Sequence, residues 1–575
     1  GTVTATGTNA TFLASLGGLV GLLGDANGAT ISSSYSGATV NASGVASGFG
    51  IGGLVGASQN VATIQNSYAT GSVTGPAALS GTSPFGGVGG LLGVVDTTST
   101  NTTITNSYAS GAVSSAQGAS YVGGLVGRNA GTLNVNNSFW DTQTTGQTVS
   151  AGSTGAAGYR GMTTAQMTVL DNFRVAANGF VTADNAWNFA SISTTSTPNA
   201  GTWFMYNGST RPYLMSERDT NVYTAHQLQL MGSTLGANYT LKNNINLSTS
   251  MNNLADIWAT NQATSTGTGF VPIGWLSSGY SGTFAGGGYQ ISNLYINRAA
   301  SDSGIGLFNT LAGATVSNLS LHGNIVAGYD SIGMLAGSTS GTTTITNVGV
   351  SGALNTPLAH LGAGGFIGAV TGTTNITNSY SDVNVSAGAY VGGFAGVNYG
   401  TLNITDGYTT GNIGGTAYYF AGLSGLNFGT LNANRTYVTG YIQPSAATAP
   451  YTSDFGGTTN VTNSYYDTNS TGLGGGTSTA TMKTQANYAG WDFTNTWGII
   501  EGVSYPYLRY FYSSTPTVVS GTSNVGVNAN VSVAANGAIL TTTGGVTLGA
   551  RTAANGSFYM LVPANLIASN AAVLA

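Results

Sequence analysis

The sequence predicts an all-β fold: a parallel β-helix (solenoid) in two capped arrays, with a small C-terminal β-sandwich. Three observations carry that prediction: a glycine-rich phrase that returns at near-constant spacing, strand-like alternation between its copies, and a near absence of charge. The phrase runs Gly17-Gly18-Leu19-Val20-Gly21, Gly52-Gly53-Leu54-Val55-Gly56, Gly89-Gly90-Leu91-Leu92-Gly93 and Gly123-Gly124-Leu125-Val126-Gly127. It returns as Gly333-Met334-Leu335-Ala336-Gly337, Gly364-Gly365-Phe366-Ile367-Gly368, Gly392-Gly393-Phe394-Ala395-Gly396 and Ala421-Gly422-Leu423-Ser424-Gly425. Copies lie about 34–37 residues apart early and about 28–31 later, in the range of stacked solenoid units. A unit of that size cannot bury its own apolar face, so neighbouring units must stack.

Charge supports the same reading. Only 5% of the 575 residues are charged, against roughly 25% in ordinary globular proteins. With 41% hydrophobic residues and a net charge of -5, the chain lacks the signature of disorder. In a parallel stack each residue sits about 4.8 Å from its counterpart in the next coil. Like charges at that spacing repel, whereas Asn, Ser, Thr and Gly form uncharged ladders. The eleven Lys and Arg are scattered and make no basic patch, which argues against nucleic acid. The absence of cysteine rules out disulfides and thiolate metal sites. No apolar run is long enough to span a bilayer, so no membrane-spanning segment is expected. The opening Gly1-Thr2-Val3-Thr4 and the closing Ala571-Ala572-Val573-Leu574-Ala575 both read as mid-strand, so a piece of a longer polypeptide without its own signal peptide is expected.

Residues 1–136 read as the first array. Each unit has the glycine phrase, then a segment such as Gly131-Thr132-Leu133-Asn134-Val135, then Asn-Ser-Tyr with a short strand, as in Asn66-Ser67-Tyr68 and Asn106-Ser107-Tyr108. All three parts alternate small or polar with apolar residues, which predicts three short strands per coil. The glycines between them are expected to supply the positive φ angles of the corners.

Residues 137–221 read as a cap and linker. Asn137-Ser138-Phe139-Trp140-Asp141-Thr142 leads to Trp203 and Arg211-Pro212-Tyr213-Leu214. A second version, 463–514, runs from Asn463-Ser464-Tyr465-Tyr466-Asp467-Thr468 to Trp497 and Tyr505-Pro506-Tyr507-Leu508. A solenoid end exposes an unpaired edge, so the segments 137–214 and 463–508 are expected to close the ends of their arrays. Residues 222–300 read as an N-terminal cap and lead-in coils of the second array. They open on the best helical candidate, Tyr223 to Met231, where Leu228 and Met231 share a face. Residues 301–462 are the second array, and 515–575 a β-sandwich-like module with period-two strands and Gly/Asn turns.

The recurring Gly-Gly-Leu-Val-Gly … Asn-Ser-Tyr-Ala-Thr-Gly-Ser-Val unit resembles the GLUG repeat of large bacterial surface proteins. Those include filamentous-haemagglutinin-like adhesins and the non-catalytic regions of IgA-peptidase-like proteins. The resemblance spans roughly residues 15–510. It implies an extracellular, cell-surface β-helix with a structural or adhesive role and transfers no catalytic residue. The secretion domain of the haemagglutinin-like proteins and the zinc-protease signature of the IgA peptidases are both missing.

A search for chemistry returns no catalytic, cofactor-binding or metal site, and neither an enzyme nor a cofactor is expected. Glycoside hydrolysis needs two carboxylates about 5–10 Å apart, but Asp25, Asp96, Asp256, Asp382, Asp406 and Asp454 stand alone in the sequence. Asp302 and Asp330 lie 28 residues apart, near one repeat, and could meet on adjacent coils. Asp141 and Asp467 occupy matching cap positions, where a turn role is expected. Glu217, Arg218 and Asp219 form the one local charge cluster and read as a solvated linker. His226, His322 and His360 lack metal-ligand spacing. Tyr68, Tyr108, Phe139, Tyr380, Tyr408 and Tyr465 share one repeat position and read as a stacked ladder. Asn66, Asn106, Asn137, Asn378 and Asn463 read as a buried amide ladder at a corner. The expected partners are copies of the chain itself or other surface and matrix proteins, with glycans on an exposed aromatic or polar face as the alternative. A polysaccharide-degrading β-helix is the least favoured reading.

Overall fold

The computed structural model describes all residues except 8–14, 46–49, 77–85, 116–120, 154, 300, 327, 389, 536–537, 543–544, 565, 568–572 and 575. Of the closing segment, Ala571, Ala572 and Ala575 therefore lie outside the described residues. The chain forms two compact units. One comprises Gly1–Ser191, Asn199–Arg218 and Asn252–Thr268; the other comprises Ile192–Pro198, Asp219–Met251 and Gly269–Ala575.

In the first unit the coils stack as five narrow parallel sheets, so each coil carries five short strands where three were expected. Pairing joins equivalent residues of successive repeats: Ile64 with Ile31 and Ile104, and Val73 with Val40 and Val113. The glycine phrase is a corner between Gly50–Gly52 and Val55–Ser58. Its leucine points inward, and Leu54, Leu91 and Leu125 are fully buried beside Ile64, Ile104 and Val126.

The phrase glycines answer a different need from the one the sequence suggested. Their backbones are not left-handed; they lie against neighbouring backbone. A Cβ on Gly53 would collide with the Gly90 carbonyl, and one on Gly90 with the Gly124 carbonyl. The left-handed corner positions belong instead to Asn66, Asn106 and Asn137, each with φ of 47°, a conformation that Asn tolerates better than most residues.

Those asparagines are half-buried and form no amide ladder. The next residue satisfies the corner: Ser67 N–H donates to Ser107 Oγ and Ser107 N–H to Ser138 Oγ, both at 3.1 Å. Each hydroxyl in turn donates to the carbonyl two residues back, Ser67 Oγ to Gln65 O at 2.8 Å and Ser107 Oγ to Thr105 O at 2.9 Å. Serine suits this place because it donates and accepts at once.

The second unit starts with the expected helix, Ala225–Leu230, held by a reciprocal cap between Thr224 and Gln227. Leu228, Leu230 and Met231 are fully buried. Three parallel sheets follow, matching the expected strands per coil. Two have six strands each, and the third contains the long strands Thr315–Val326, Thr342–Thr356 and Thr373–Ala387. Asn318, Asn347 and Asn378 are left-handed within these strands, and Asp406, Arg435 and Asn463 continue the series.

At the corner Asn347 donates to Asn318 at 2.9 Å, and a longer uncharged ladder runs down this unit at other asparagines: Asn403 donates to Asn375, Asn432 to Asn403 and Asn460 to Asn432, at 2.7, 2.7 and 2.8 Å. At its C-terminal end, Thr517–Thr522 pairs antiparallel with Ser557–Val562, and Asn530–Ser532 with Gly549–Arg551. These strands enclose Val519, Val531, Val533, Phe558, Met560 and Val562. The module packs on its own array, with Asn412 Nδ2 donating to Asn528 Oδ1 at 3.0 Å and to the Thr552 carbonyl at 3.1 Å.

Candidate functional site

Successive strand residues face opposite sides, so Ala69, Ala109 and Trp140 enter the first unit's core while Tyr68, Tyr108 and Phe139 face outward. The register aligns Tyr35, Tyr68, Tyr108 and Phe139 on consecutive coils. The tyrosine rings stack at 5.1 and 5.0 Å, tilted by 12° and 4°. The second unit repeats the arrangement with Tyr380, Tyr408, Tyr437 and Tyr465, whose first two gaps are 5.1 and 4.9 Å. The ladder begins at Tyr380 because Gly349 precedes it, and a Cβ there would strike the Tyr380 ring.

These outward ladders are covered by the segments expected to act as end caps. Only the first part of 137–214 closes the end: Gly124 N–H donates to Val149 O and Ala151 N–H to Val126 O, both at 2.9 Å. The remainder straps the flank. Trp203 lies 6.1 and 6.2 Å from Tyr68 and Tyr108, and Trp187 stacks on Phe139 at 6.2 Å.

The left-handed asparagines serve as handles for this strap. Trp203 Nε1 donates to Asn66 Oδ1 at 3.4 Å, Trp187 Nε1 to Asn137 O at 2.9 Å and Asn106 Nδ2 to Ala186 O at 3.0 Å. Tyr108 donates to Pro212 O and Tyr68 to Glu217 Oε1, both at 2.8 Å. Glu217 is thus part of the strap's attachment, not a solvated linker residue. The second unit repeats three of these contacts: Tyr437 to Pro506 O at 2.7 Å, Trp491 Nε1 to Asn463 O at 2.9 Å and Trp497 Nε1 to Asp406 Oδ1 at 2.9 Å.

Asp141 and Asp467 anchor the two straps, and both are fully buried. Asp141 caps Thr142–Thr145, accepting from Gln143 N at 2.9 Å and Thr144 N at 3.1 Å. Its other oxygen accepts from Arg211 Nη2 at 2.6 Å, and Arg211 is itself fully buried. Asp467 makes the same cap with Asn469 and Ser470, but its second oxygen accepts from Thr479 Oγ1 at 2.7 Å and Tyr505 OH at 2.6 Å. Arg211 and Tyr505 occupy the same place in the duplicated motif.

Burial pushes the phenols of Tyr68, Tyr108, Tyr408 and Tyr437 well above the usual tyrosine range. Tyr35, at the end of its ladder, is pushed up to about 12 by burial and then by Glu217. The inner rings Tyr68, Tyr108, Tyr408 and Tyr437 are therefore neutral and enclosed, their faces taken up by one another and by tryptophan. Tyr35 and Tyr437 escaped the sequence reading because their left-handed corners are Ser33 and Arg435 in place of asparagine.

The remaining candidates do not converge. Asp330 pairs in register with Ser303, so Asp302 and Asp330 are one position out of step on adjacent strands. His322 Nδ1 lies 3.1 Å from Ser351 Oγ, and burial lowers its pKa to about 4. His360 packs on the Tyr329 ring at 4.4 Å, and His226 is a buried residue of the capping helix itself. Among the described residues no three His, Asp or Glu side chains gather as metal ligands, and no helix is long and apolar enough to cross a membrane. One aromatic series does face solvent: Tyr399 stacks on Phe428 at 5.3 Å, and Phe428 meets Phe455 at 5.7 Å.

Comparison with known proteins gives two matches. Residues 47–74 match the GLUG motif family. A stretch of 140 residues, 24% of the chain, is 35% identical to halomucin of Haloquadratum walsbyi. That stretch spans about 1% of halomucin's length. No solved structure matches the chain.

Proposed function

We propose that this chain is a non-enzymatic structural segment of an extracellular, cell-surface protein, a rigid spacer in a surface fibre or large secreted adhesin. The observation that carries the reading is the register. Equivalent residues pair coil after coil, as in Thr373–Ala387 against Thr401–Thr409, with asparagine amides bridging the same positions. Such a stack exposes few backbone groups to proteases and needs neither disulfides nor metal. The match to the GLUG motif and the short alignment to halomucin support a surface setting. Bonding of Asn412 to the C-terminal module favours a module that completes its own unit over one donated to a neighbouring subunit.

Immunogold electron microscopy of intact producing cells, with antibody raised against this segment, tests the proposal. Label on the cell exterior, on fibres or rods, is the expected result. Label confined to the cytoplasm would overturn it.

A further inference from the structure

The second unit holds a recess away from its covered ladder. Two segments meet there, the loop Pro272 to Ser277 and the stretch Ser301 to Asn309, which includes the short strand Ser303–Ile305. They border an open recess of about 360 Å³ lined by Trp275, Leu276, Ser277, Asp302, Ser303 and Asn309. Both segments are fixed. Trp275 N–H donates to Pro272 O at 2.9 Å and Ser277 N–H to Gly274 O at 3.1 Å. Asp302 N–H donates to Ala299 O at 3.0 Å, and Asn309 Nδ2 to Gly304 O at 2.7 Å. The strand register joins them, with Ile273 N–H donating to Leu307 O and Asn309 N–H to Ile273 O.

Three features separate this recess from the surrounding surface. Leu276 is 85% exposed and left-handed, with φ of 57°. That conformation is costly for a leucine, and strain of this kind clusters at sites that hold ligands. The half-buried Asp302 carboxylate receives no hydrogen bond and no ion pair among the described residues, although Ser303 stands beside it. Trp275 lines the recess with the edge of a largely buried indole, 9% exposed, whose ring bears the Arg298 guanidinium at 5.1 Å. Arg298 is held by the Phe270 carbonyl at 3.1 Å.

We propose that this recess binds one neutral saccharide unit. A pyranose offers an apolar C–H face to an aromatic side chain and a rim of hydroxyls to polar groups. Hydroxyl hydrogens would be accepted by the Asp302 carboxylate, a charge-assisted bond that is stronger than a neutral one. Ser277 and Ser303 add hydroxyls that donate and accept. The volume lies at the small end of ligand pockets, which fits one sugar ring and not an extended chain. Asp302 disfavours anions, and one carboxylate is too few oxygens to hold a calcium ion.

The test is saturation-transfer NMR on the purified full chain with a panel of neutral hexoses, N-acetylhexosamines and their disaccharides, and with butylammonium as a competing class. Transfer to the C–H protons of at least one sugar is expected. Asp302→Ala should weaken that binding about tenfold or more, the loss of one charge-assisted bond. Ser277→Trp, which fills the recess, should abolish it while the thermal transition stays in place. Absence of transfer from every sugar, binding of butylammonium instead, or sugar affinity unchanged in both variants would each overturn the proposal.

Discussion

Replacing Asp141 with alanine removes the anchor of the first strap, and the structure sets the size of the effect. The change deletes acceptors for Gln143 N, Thr144 N, Thr164 Oγ1 and Arg211 Nη2, at 2.9, 3.1, 3.0 and 2.6 Å. It leaves the Arg211 guanidinium fully buried with the Asp256 carbonyl as its remaining hydrogen-bond partner among the described residues. Breaking a buried pair this way costs about 3–5 kcal/mol, and loss of the helix cap about 1 kcal/mol. For a unit of this size each kcal/mol lowers Tm by about 2–4 °C, so the first unit's transition should fall by about 10 °C or more. Adding Arg211→Met removes the stranded charge, and the double variant should recover at least half the loss, because an apolar replacement of a buried pair is often neutral. The second unit already shows Asp467 held by hydroxyl donors, Thr479 and Tyr505, in place of a directly bonded guanidinium. Differential scanning calorimetry of the full chain is the assay. A double variant as unstable as Asp141→Ala alone, or a single variant within 1 °C of wild type, would refute the reasoning.

Gly90→Ala drives a Cβ into the Gly124 carbonyl and the Ala109 methyl; overpacking of this kind should cost about 1–3 kcal/mol by urea titration. Ser107→Ala leaves the buried Ser67 N–H without its acceptor, a loss of about 1–3 kcal/mol by the same titration. The ladder phenols have pKa values raised above the unfolded value, so their contribution to stability is complete below about pH 10 and is lost as pH rises through the folded values. Absorbance at alkaline pH should show Tyr68 and Tyr108 ionising only together with unfolding. For His322 the sign is reversed: with a folded pKa lowered to about 4, its contribution holds above about pH 6.5 and fades as pH falls toward 4. NMR should find its ring neutral at pH 5.5.

The repeat period made the parallel stack readable, since stacking in register lets successive Gly-Gly-Leu-Val-Gly corners bury their leucines, as at Leu54, Leu91 and Leu125. The tyrosine ladder was readable for the same reason, wherever Asn-Ser-Tyr was intact. What stayed hidden depends on which side chain faces which backbone group. Asn66 and Ser67 are adjacent and both polar, yet the serine N–H donates to the next coil's Ser107 hydroxyl while the asparagine takes the left-handed bend and receives Trp203. The route of 163–217 along the flank was equally hidden, because Tyr68 and Glu217 meet across 149 residues. One signal pointed to it: aromatic residues that face outward on a solenoid need a cover. The recess around Asp302 had no sequence signature, as it joins segments from two different coils.

The most direct test of the stack uses the absence of native cysteine. Thr430 and Thr458 are register partners on adjacent coils, about 4.8 Å apart in a parallel sheet, within reach of a disulfide. Thr462 lies four residues further along the same segment. Under mild oxidation the variant Thr430→Cys/Thr458→Cys should cross-link nearly completely within the monomer, and Thr430→Cys/Thr462→Cys should remain reduced. Equal cross-linking of both pairs, or cross-linking of the off-register pair alone, would contradict the in-register stack.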